Sequence, residues 1–350
     1  MLKNLKIIDA SSVLAGPSVA TFFAELGAEV IKIEHPKHAD VTRSWKLPSE
    51  DESSTISAYF SSVNYKKSYQ KLDLMSEFDR NAFLKLIESA DILITNFKKG
   101  DVEKFGIEDE LLLKHNPRLI HGKISGYGAD SHRVAYDLIL QAESGFMSMN
   151  GTPESGPVKM PVAVIDILAG HNLKEAILLS LYEREKTGKG KAINVSLYDA
   201  ALSSLSNQAS NYLMAKKIPQ RIGSLHPNIS PYGEIFETKD NALVTFAIGS
   251  DSHFSKLCST LKLNDLPEDE RFESNQDRVI NRIALAKIIQ KEVLQFNCAE
   301  LLNSLEKLNV PAGKIKSLDE VFEESSAQDL IRKEIIDGVP TERVTSVVFK

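Results

Sequence analysis

An aspartate stands inside an otherwise apolar stretch, PVAVIDILAG, at residues 161–170. Burial of an unpaired carboxylate is costly, so proteins usually pair it, protonate it or avoid it. Asp166 precedes the pattern of a long helix, whose free N–H groups and dipole would stabilise a carboxylate. Two interpretations follow: Asp166 caps that helix, or it is held at the mouth of a cleft to do chemistry. The residues alone favour the cap.

Strands and helices alternate through the first third of the chain. Predicted strands are LKIIDAS, EVIKIE, DILITNF and LIHGKISGYG, and predicted helices between them include PSVATFFAELGA and SEFDRNAFLKLIESA. Strands that alternate with helical segments of about 10–15 residues indicate βαβ units and a parallel sheet. Ligands of such sheets bind beyond the carboxyl ends of the strands, so the residues that follow each strand are the informative ones.

The segment after the second strand, IEHPKHADVTRSW, carries His35, Lys37, His38 and Arg43. Their charge suits an anionic ligand, and a solvated loop would have the same composition, so both interpretations stand. His35 and His38 with Asp40 would make a poor metal site, because real sites need several converging ligands and a supporting second shell. We therefore predict no metal.

Lysines also occur in two further segments. NYKKSYQK supplies Lys66, Lys67 and Lys71, which we expect on the wet surface. NFKKG places Asn96 and Lys98 just beyond DILITNF, where a ligand of a parallel sheet would lie. Three successive basic strand ends in a protein of net charge −6 favour a polyanionic small molecule, such as a nucleotide-bearing cofactor.

The turn after the first strand, VLAGPS, does not match G-x-G-x-x-G, so a standard dinucleotide fingerprint is absent. Pro17 is expected at the first position of the following helix, where its missing N–H has no cost. Further along, in RVAYDLILQAESGF, Asp137 either caps a helix or belongs to a site, and the sequence does not decide between the two.

Composition limits the class of protein. Of 350 residues, 42% are hydrophobic and 26% charged, as in an ordinary globular protein. The negative net charge argues against nucleic acid as the main ligand. No apolar run approaches the roughly 20 residues that span a bilayer. Cys258 and Cys298 have neither metal-site nor redox-motif spacing, which indicates a reducing cytoplasm.

The texture of the chain changes near residue 218. The segment IPQRIGSLHPNISPYG is rich in proline and glycine and predicts a linker. We predict a large domain over 1–217, a small domain over 218–312, and a return of 313–350 to the large domain. The small domain is expected to open with two strands joined by a turn at Lys239–Asn241.

The order of the motifs resembles the family III CoA-transferases. The resemblance runs from Leu5 to about Phe322 and is carried by LAGPSVATFFAELGAEVIKIEHP, NYKKS, ADILITNFKKG, ISGYG, YDLILQAESGFMSMNG, VIDILAG and HPNISPYGEIFETKDN. It implies an α/β fold with a Rossmann-like parallel-sheet large domain, a smaller α+β domain, and two chains interlocked into a homodimer. It also implies acyl-CoA, bearing coenzyme A, and a small carboxylic acid as the two substrates.

In this resemblance Asp166 takes the place of the active-site aspartate, which is the nucleophile of the transferases. It would attack the thioester carbonyl of an acyl-CoA, form a mixed anhydride and pass through an aspartyl-CoA thioester, and the helix start would keep it ionised. Racemases of the group pair the aspartate with a histidine. Tyr136 stands at that position here, with His132 four residues earlier. Transfer is therefore favoured, with racemisation and non-catalytic CoA binding as alternatives.

The resemblance also implies contacts with coenzyme A. These fall on Leu14, Ala15, His35, Leu72, Asp73, Leu74, Met75, Asn96, Phe97, Lys98, Lys104, Val134, Ala135, Tyr136 and Asp137. The glycine-rich lid of the family falls on AIGSDSHF, which has a single glycine, Gly249, followed by Ser250. Acceptor specificity is expected near Tyr136, Met147, Met149 and Gly249.

Overall fold

The structure, a computed structural model, describes residues 1–349 and divides the chain into two compact units. The first unit comprises residues 1–149 and 158–219 together with the C-terminal segment from Ser326. The second unit comprises residues 150–157 and 220–325. Within residues 1–349, none of the helices combines the length and the apolar character that crossing a bilayer requires.

A parallel sheet of six strands forms the centre of the first unit. Its strands are β1 (Lys6–Ala10), β2 (Glu29–Glu34), β3 (Ser68–Lys71), β4 (Ile92–Thr95), β5 (Ile120–Ser125) and β6 (Lys191–Ser196). Their spatial order is β3-β2-β1-β4-β5-β6, which is the order of doubly wound nucleotide-binding folds. The predicted α/β fold with a parallel sheet is confirmed.

Ten α-helices of the first unit lie between residues 1 and 219. They are α1 (Ala15–Glu25), α2 (Ala58–Ser62), α3 (Glu77–Glu88), α4 (Asp101–Phe105), α5 (Asp109–His115), α6 (Asp137–Glu143), α7 (Phe146–Met149), α8 (Val164–Thr187), α9 (Leu197–Ser203) and α10 (Ser206–Ala215). Ile7 and Ile92 pack on one face of the sheet in a core with α1 and α8. Ile8 and Leu93 pack on the other face with α3 and α5. The central strands are therefore buried on both faces, which explains their nearly continuous apolar sequences.

The edge strand β3 was not predicted. Its sequence, SYQK, has no fully buried residue and lies beside β2, with Tyr69 opposite Lys32. An edge strand that is wet on one side carries no apolar run, so its pairing with β2 is invisible to pattern analysis.

Helix α1 begins at Ala15, so Pro17 is its third residue. The prediction that Pro17 is the first residue of the helix is wrong. The N–H groups of a helix's first turn have no intrahelical partner, so a proline is tolerated at the third position as well as at the first.

Four of the charged side chains buried near the carboxyl ends of β1 and β2 form two ion pairs. Lys67 Nζ lies 2.7 Å from Asp9 Oδ2, and Lys32 Nζ lies 3.1 Å from Asp40 Oδ2. The expectation that Lys67 lies on the wet surface is wrong. Its ammonium also donates to the carbonyl of Pro17 at 2.9 Å, and a buried charge is stable when it is paired and hydrogen-bonded in this way.

The second unit contains an antiparallel sheet of β7 (Tyr232–Glu237), β8 (Leu243–Ala247) and β9 (Ala312–Lys314), in that order. The two predicted strands and their turn are present, with Asn241 in the left-handed region at φ +58°. Because Ala312 of β9 pairs with Phe246 of β8, the segment after residue 312 stays with this unit. The return to the first unit begins at Ser326, and not at residue 313 as predicted.

Helices of the second unit are α11 (Asp251–Thr260), α12 (Asn275–Ile280), α13 (Arg282–Val293), α14 (Cys298–Lys307) and α15 (Leu318–Phe322). The chain continues through α16 (Ser325–Gln328) into an antiparallel hairpin of β10 (Ile331–Ile336) and β11 (Val339–Val344). This hairpin belongs to the first unit, where the guanidinium of Arg343 pairs with Glu25 of α1.

Candidate active site

A cleft of about 440 Å³ opens at the carboxyl edge of the parallel sheet. Segments that follow β1, β4 and β5 build its wall, together with the first turn of α8. Parallel sheets bind their ligands at this edge. The lining carries basic and acidic side chains: Lys98, Lys99, Lys123 and Arg133, and Glu103, Glu108, Asp109, Asp130 and Asp166. Lys99 pairs with Asp130, Lys123 with Asp109 and Arg133 with Glu143. Lys98 makes no ion pair with any of residues 1–349, so it is the cation that the lining offers to an anionic ligand.

Asp166 lines this cleft as the third residue of α8, inside the helix and not before it. The side chain is buried, yet its carboxylate makes no hydrogen bond or ion pair with any of residues 1–349. Ala163 occupies the N-cap position, and no side chain of α8 caps the helix. The interpretation of Asp166 as a helix cap is therefore wrong.

Asp137 provides the cap that Asp166 does not. Its Oδ1 accepts a hydrogen bond from the backbone N–H of Ile165 at 2.8 Å, and its Oδ2 accepts one from Gln141 Nε2 at 2.6 Å. Ile165 is the second residue of α8, so its N–H is one of those that lack an intrahelical partner. The alternative left open for Asp137 resolves into capping of α8, not of its own helix α6. The capping leaves the carboxylate of Asp166 facing the cleft.

Burial, and then the negative charge of Asp137, raise the pKa of Asp166 to about 7. Desolvation thus disfavours the charged form, so the helix start by itself does not keep Asp166 fully ionised. Near neutral pH the side chain exists as a mixture of acid and carboxylate. A carboxylate of such raised basicity is a stronger nucleophile than an exposed one, provided that the pH is high enough to ionise it.

Tyr59 is a further residue of this region that sequence analysis did not identify. Burial, followed by the charges of Asp166, Asp137 and Asp40, raises the pKa of Tyr59 to about 12. It therefore stays a phenol and can donate a hydrogen bond. No motif marks it, because it lies in the short helix α2, outside the segments that follow the predicted strands.

We expect kcat/KM for the reaction at Asp166 to rise with pH through about 7, since only the carboxylate attacks a carbonyl. In Asp137→Asn, the amide oxygen still caps α8 while the neighbouring negative charge is lost. The pKa of Asp166 then falls, and the midpoint of the profile moves to lower pH. Initial rates from pH 5 to 9 measure it.

Glu143→Gln provides the control for this profile. Glu143 lies on the same helix as Asp137 but is exposed and paired with Arg133. It is expected to leave the midpoint unchanged. An unchanged midpoint in Asp137→Asn, or an equal shift in both variants, would contradict the assignment of Asp137.

The structure brings eight of the expected CoA contacts together in one wall of the cleft with Asp166. They are Leu14, Ala15, Asn96, Phe97, Lys98, Val134, Ala135 and Tyr136. The other seven lie outside that wall: His35, Leu72, Asp73, Leu74, Met75, Lys104 and Asp137.

The residues from Leu72 to Met75 alternate between buried and at least partly exposed side chains. Leu72 and Leu74 are buried in the core beside α3, so only their backbone is available to a ligand. His35 lies 3.6 Å from Asp73, and both side chains are about one-third exposed. Lys104 pairs with Asp101 at 3.2 Å and remains exposed. Two of the expected basic contacts, His35 and Lys104, thus already have acidic neighbours on the surface.

Of the basic loop after β2, Arg43 serves the fold. Its guanidinium donates to Glu34 at 2.9 and 2.7 Å and to Asp337 at 2.9 Å, and it stacks over Phe60 at 4.0 Å. It is therefore committed to tying the loop to the C-terminal hairpin. No cluster of three or more His, Cys, Asp and Glu side chains arranged for a metal occurs in residues 1–349.

A chain of polar side chains that the sequence did not reveal lies at the cleft, where Thr95, Asp109 and Lys123 belong to the lining. His121 lies 2.7 Å from Asp109 Oδ1 and 2.9 Å from Thr95 Oγ1, and Lys123 pairs with Asp109. Burial lowers the pKa of His121. The hydrogen bond from His121 and then that from Lys123 hold the pKa of Asp109 at about 2. These side chains connect β4, β5 and α5. The one hint in the sequence was the spacing of two residues between His121 and Lys123, which places both on the same face of a strand.

Gly249 and Ser250 lie in the second unit, after β8. Ser250 is the N-cap of α11, and its hydroxyl accepts a hydrogen bond from the N–H of His253 at 3.2 Å. A Cβ at Gly249 would meet no atom within 4 Å, so the position tolerates a side chain. Their assignment to a lid stays a prediction, as does the role of Met147 and Met149 in acceptor specificity.

The family model described as CoA-transferase family III matches residues 2–347. The chain belongs to this family. The sequence-based resemblance is confirmed, and the protein is an acyl-CoA:carboxylate CoA-transferase, which uses CoA thioesters as co-substrates.

Relatives of this family III transferase cover most of its length. The succinate–glutarate CoA-transferase of Agrobacterium fabrum (strain C58) is 37% identical over 333 residues, 93% of this chain and 83% of that protein. The acetyl-CoA:oxalate CoA-transferase of Acetobacter aceti is 36% identical over 336 residues, 94% and 85% of the two chains. A solved CAIB/BAIF family protein from Brucella suis superposes with a TM-score of 0.84 at 36% identity, covering 99% and 91%.

Proposed function

We propose that this enzyme moves CoA from an acyl-CoA to a free carboxylic acid through covalent intermediates on Asp166. The supporting observation is a buried carboxylate that lines the cleft at the carboxyl edge of the sheet without a partner of its own among residues 1–349. Structural carboxylates are normally hydrogen-bonded when buried. A group held free of partners and with its pKa raised to about 7 is suited to react with a ligand.

The proposed steps conserve atoms and charge. The Asp166 carboxylate attacks the thioester carbonyl, the C–S bond breaks, and CoA leaves as the thiolate beside a mixed anhydride. The thiolate then attacks the aspartyl carbonyl, which releases the donor acid and leaves an aspartyl-CoA thioester. The acceptor carboxylate attacks this thioester, which expels the CoA thiolate and forms a second anhydride between Asp166 and the acceptor. The thiolate then attacks the acceptor acyl carbonyl of this anhydride, which gives the product acyl-CoA and the free Asp166 carboxylate. Water must be excluded while either anhydride exists.

Short dicarboxylic acids are the proposed substrates, with succinyl-CoA as donor and glutarate as acceptor. Support comes from the relatives, which are named for succinate, glutarate, oxalate and mesaconate. Lys98, a cleft residue that is in no ion pair with any of residues 1–349, would favour a second negative charge. The contacts expected for coenzyme A, a lid at Gly249 and Ser250, a homodimer and a cytoplasmic location are further parts of this proposal.

Exchange between CoA thioesters and free acids tests the substrate class. Purified protein is incubated with succinyl-CoA and, separately, oxalate, glutarate, mesaconate and acetate, and new thioesters are detected by mass spectrometry. We expect turnover with at least one dicarboxylate and little with acetate. Exchange with acetate alone would overturn the proposed substrates.

Hydroxylamine trapping tests the covalent mechanism. Hydroxylamine converts an aspartyl anhydride or thioester into a hydroxamate, so the peptide that contains Asp166 should gain that mass during turnover. Turnover without the label, together with an active Asp166→Ala variant, would overturn the mechanism.

Racemisation remains the second candidate because His132 also lines the cleft. Proton exchange at the α-carbon needs a second base within reach of the same carbon as Asp166. Deuterium incorporation from D₂O into 2-methylacyl-CoA, without exchange of acids, would favour this candidate over transfer.

A further inference from the structure

The loop between β1 and α1 contains an unusual backbone conformation. Val13 has a φ of +71°, in the left-handed region that β-branched residues rarely adopt. Val13 and its neighbours Ser12 and Leu14 line the cleft. Strained residues persist only where the surrounding structure holds them, and they cluster at ligand-binding sites.

The carboxylate of Asp40 provides such a hold. The backbone N–H of Val13 lies 3.2 and 3.4 Å from its two oxygens. The Asp40 side chain is 1% exposed and lies 3.1 Å from Lys32 Nζ. Lys32 in turn donates to the carbonyl of Ser11 at 2.9 Å. One buried ion pair therefore holds the loop on both sides of Ser12.

We call the buried Asp40–Lys32 pair and its hydrogen bonds to the loop the clamp. Two further contacts support the loop and connect it to the helix of Asp166. Ser12 donates its N–H to Asn96 Oδ1 at 3.0 Å and accepts from Asn96 Nδ2 at 2.8 Å. The loop then enters α1 at Ala15, whose carbonyl oxygen lies 3.3 Å from where a Cβ on Gly170 would be. Gly170 is one turn beyond Asp166 on α8, so the loop ends against the helix that carries the proposed nucleophile.

We propose that Asp40 is a positioning residue that holds the Val13 loop in the strained conformation in which the cleft receives coenzyme A. Asp40 itself does not line the cleft, so it acts through Val13. An ionised carboxylate suits this role, because it accepts strongly from the Val13 N–H and at the same time neutralises the buried Lys32. The inference rests on the proposed function in one respect, that the cleft binds coenzyme A.

A double-mutant cycle tests the proposal, with coenzyme A affinity measured by calorimetry for the wild type, Asp40→Asn, Val13→Gly and the double variant. Glycine adopts positive φ without strain, so the loop should no longer need its clamp. Asp40→Asn is expected to weaken coenzyme A binding about tenfold when Val13 is present, and at most about twofold in the Val13→Gly background. Asp51→Asn, an exposed aspartate in the same region, should leave the affinity unchanged.

Equal weakening by Asp40→Asn in both backgrounds would overturn the proposal. The same cycle in urea unfolding tests the clamp without any ligand, so failure of the wild type to bind coenzyme A would refute the proposed function separately. If Asp40→Asn does not fold, recovery of folded protein in the Val13→Gly background supports the proposal. Failure to fold in both backgrounds contradicts it, because the need for Asp40 would then come from its other contacts, with Lys32 and with the N–H and hydroxyl of Thr42.

Discussion

Replacement of Asp166 by asparagine is expected to lower the rate of CoA transfer by about 10⁴-fold or more, since loss of a covalent nucleophile has effects of this order. The amide keeps the shape of the side chain but cannot form the anhydride. Affinity for coenzyme A should change little, because in the proposed mechanism Asp166 meets the thioester and not the nucleotide. The rate is measured at pH 8 as the formation of glutaryl-CoA from succinyl-CoA and glutarate, which is monitored by chromatography.

Asp199→Asn is the matched control. Asp199 is the third residue of α9, as Asp166 is of α8, but it is exposed. Its activity should stay within about twofold of the wild type, as for most surface substitutions. An Asp166→Asn variant that retains a tenth of the wild-type rate would refute the role of Asp166 as nucleophile.

The substitution Asp166→Asn should also stabilise the protein at alkaline pH. The pKa of Asp166 is about 7 when folded, against an ordinary value of 3.8, so the folded state holds the proton more tightly. The stability contributed by this proton is complete below about pH 4 and is lost as the pH rises to 7 and beyond. At pH 8, asparagine should raise the free energy of unfolding by up to about 4 kcal/mol, at roughly 1.4 kcal/mol per pKa unit. Urea unfolding at pH 4 and pH 8 measures the difference.

Replacement of Lys67 by methionine is expected to lower the free energy of unfolding by about 3–5 kcal/mol, as for other buried ion pairs that lose one partner. Methionine keeps the length of the side chain but leaves the carboxylate of Asp9 buried beside Lys32 alone. The carbonyls of Pro17 and Val63 also lose a donor. Urea unfolding, monitored by circular dichroism, measures the loss.

Lys71→Met provides the comparison, because Lys71 is an exposed residue of the same strand region. Its effect should stay within about 0.5 kcal/mol. In addition, Asp9→Asn combined with Lys67→Met should recover part of the stability, since it removes the unpaired charge. A loss in Lys67→Met no larger than in Lys71→Met would show that the buried pair is not needed for stability.

The central strands and the residues that follow them could be predicted from the sequence. Strands buried on both faces require continuous apolar runs, and parallel connection brings their carboxyl ends to one edge. For this reason Asn96 and Lys98 were expected at a ligand site, and they do line the cleft. Leu14, which the family resemblance implied, lines the same cleft. The edge strand β3 carried no such signal, because its residues are polar and partly wet.

Charge in the sequence was less informative than apolar pattern. Lys66, Lys67 and Lys71 are equivalent as letters, yet only Lys67 is buried among the three. Whether a lysine is solvated or paired in the interior depends on which acid the fold places beside it. Asp9 lies 58 residues away from Lys67 in the chain, so no local pattern announces the pair.

The sequence by itself determined the family, the parallel sheet and the choice of Asp166, since these follow from apolar periodicity and from motif order along the chain. Only the tertiary structure decided the state of that carboxylate. Asp137, on a different helix, accepts the N–H of Ile165 at 2.8 Å, and Asp166 makes no hydrogen bond with any of residues 1–349. Burial, and then the charge of Asp137, raise the pKa of Asp166 to about 7. Desolvation and like charge depend on distances in space, and spacing along the chain does not encode them.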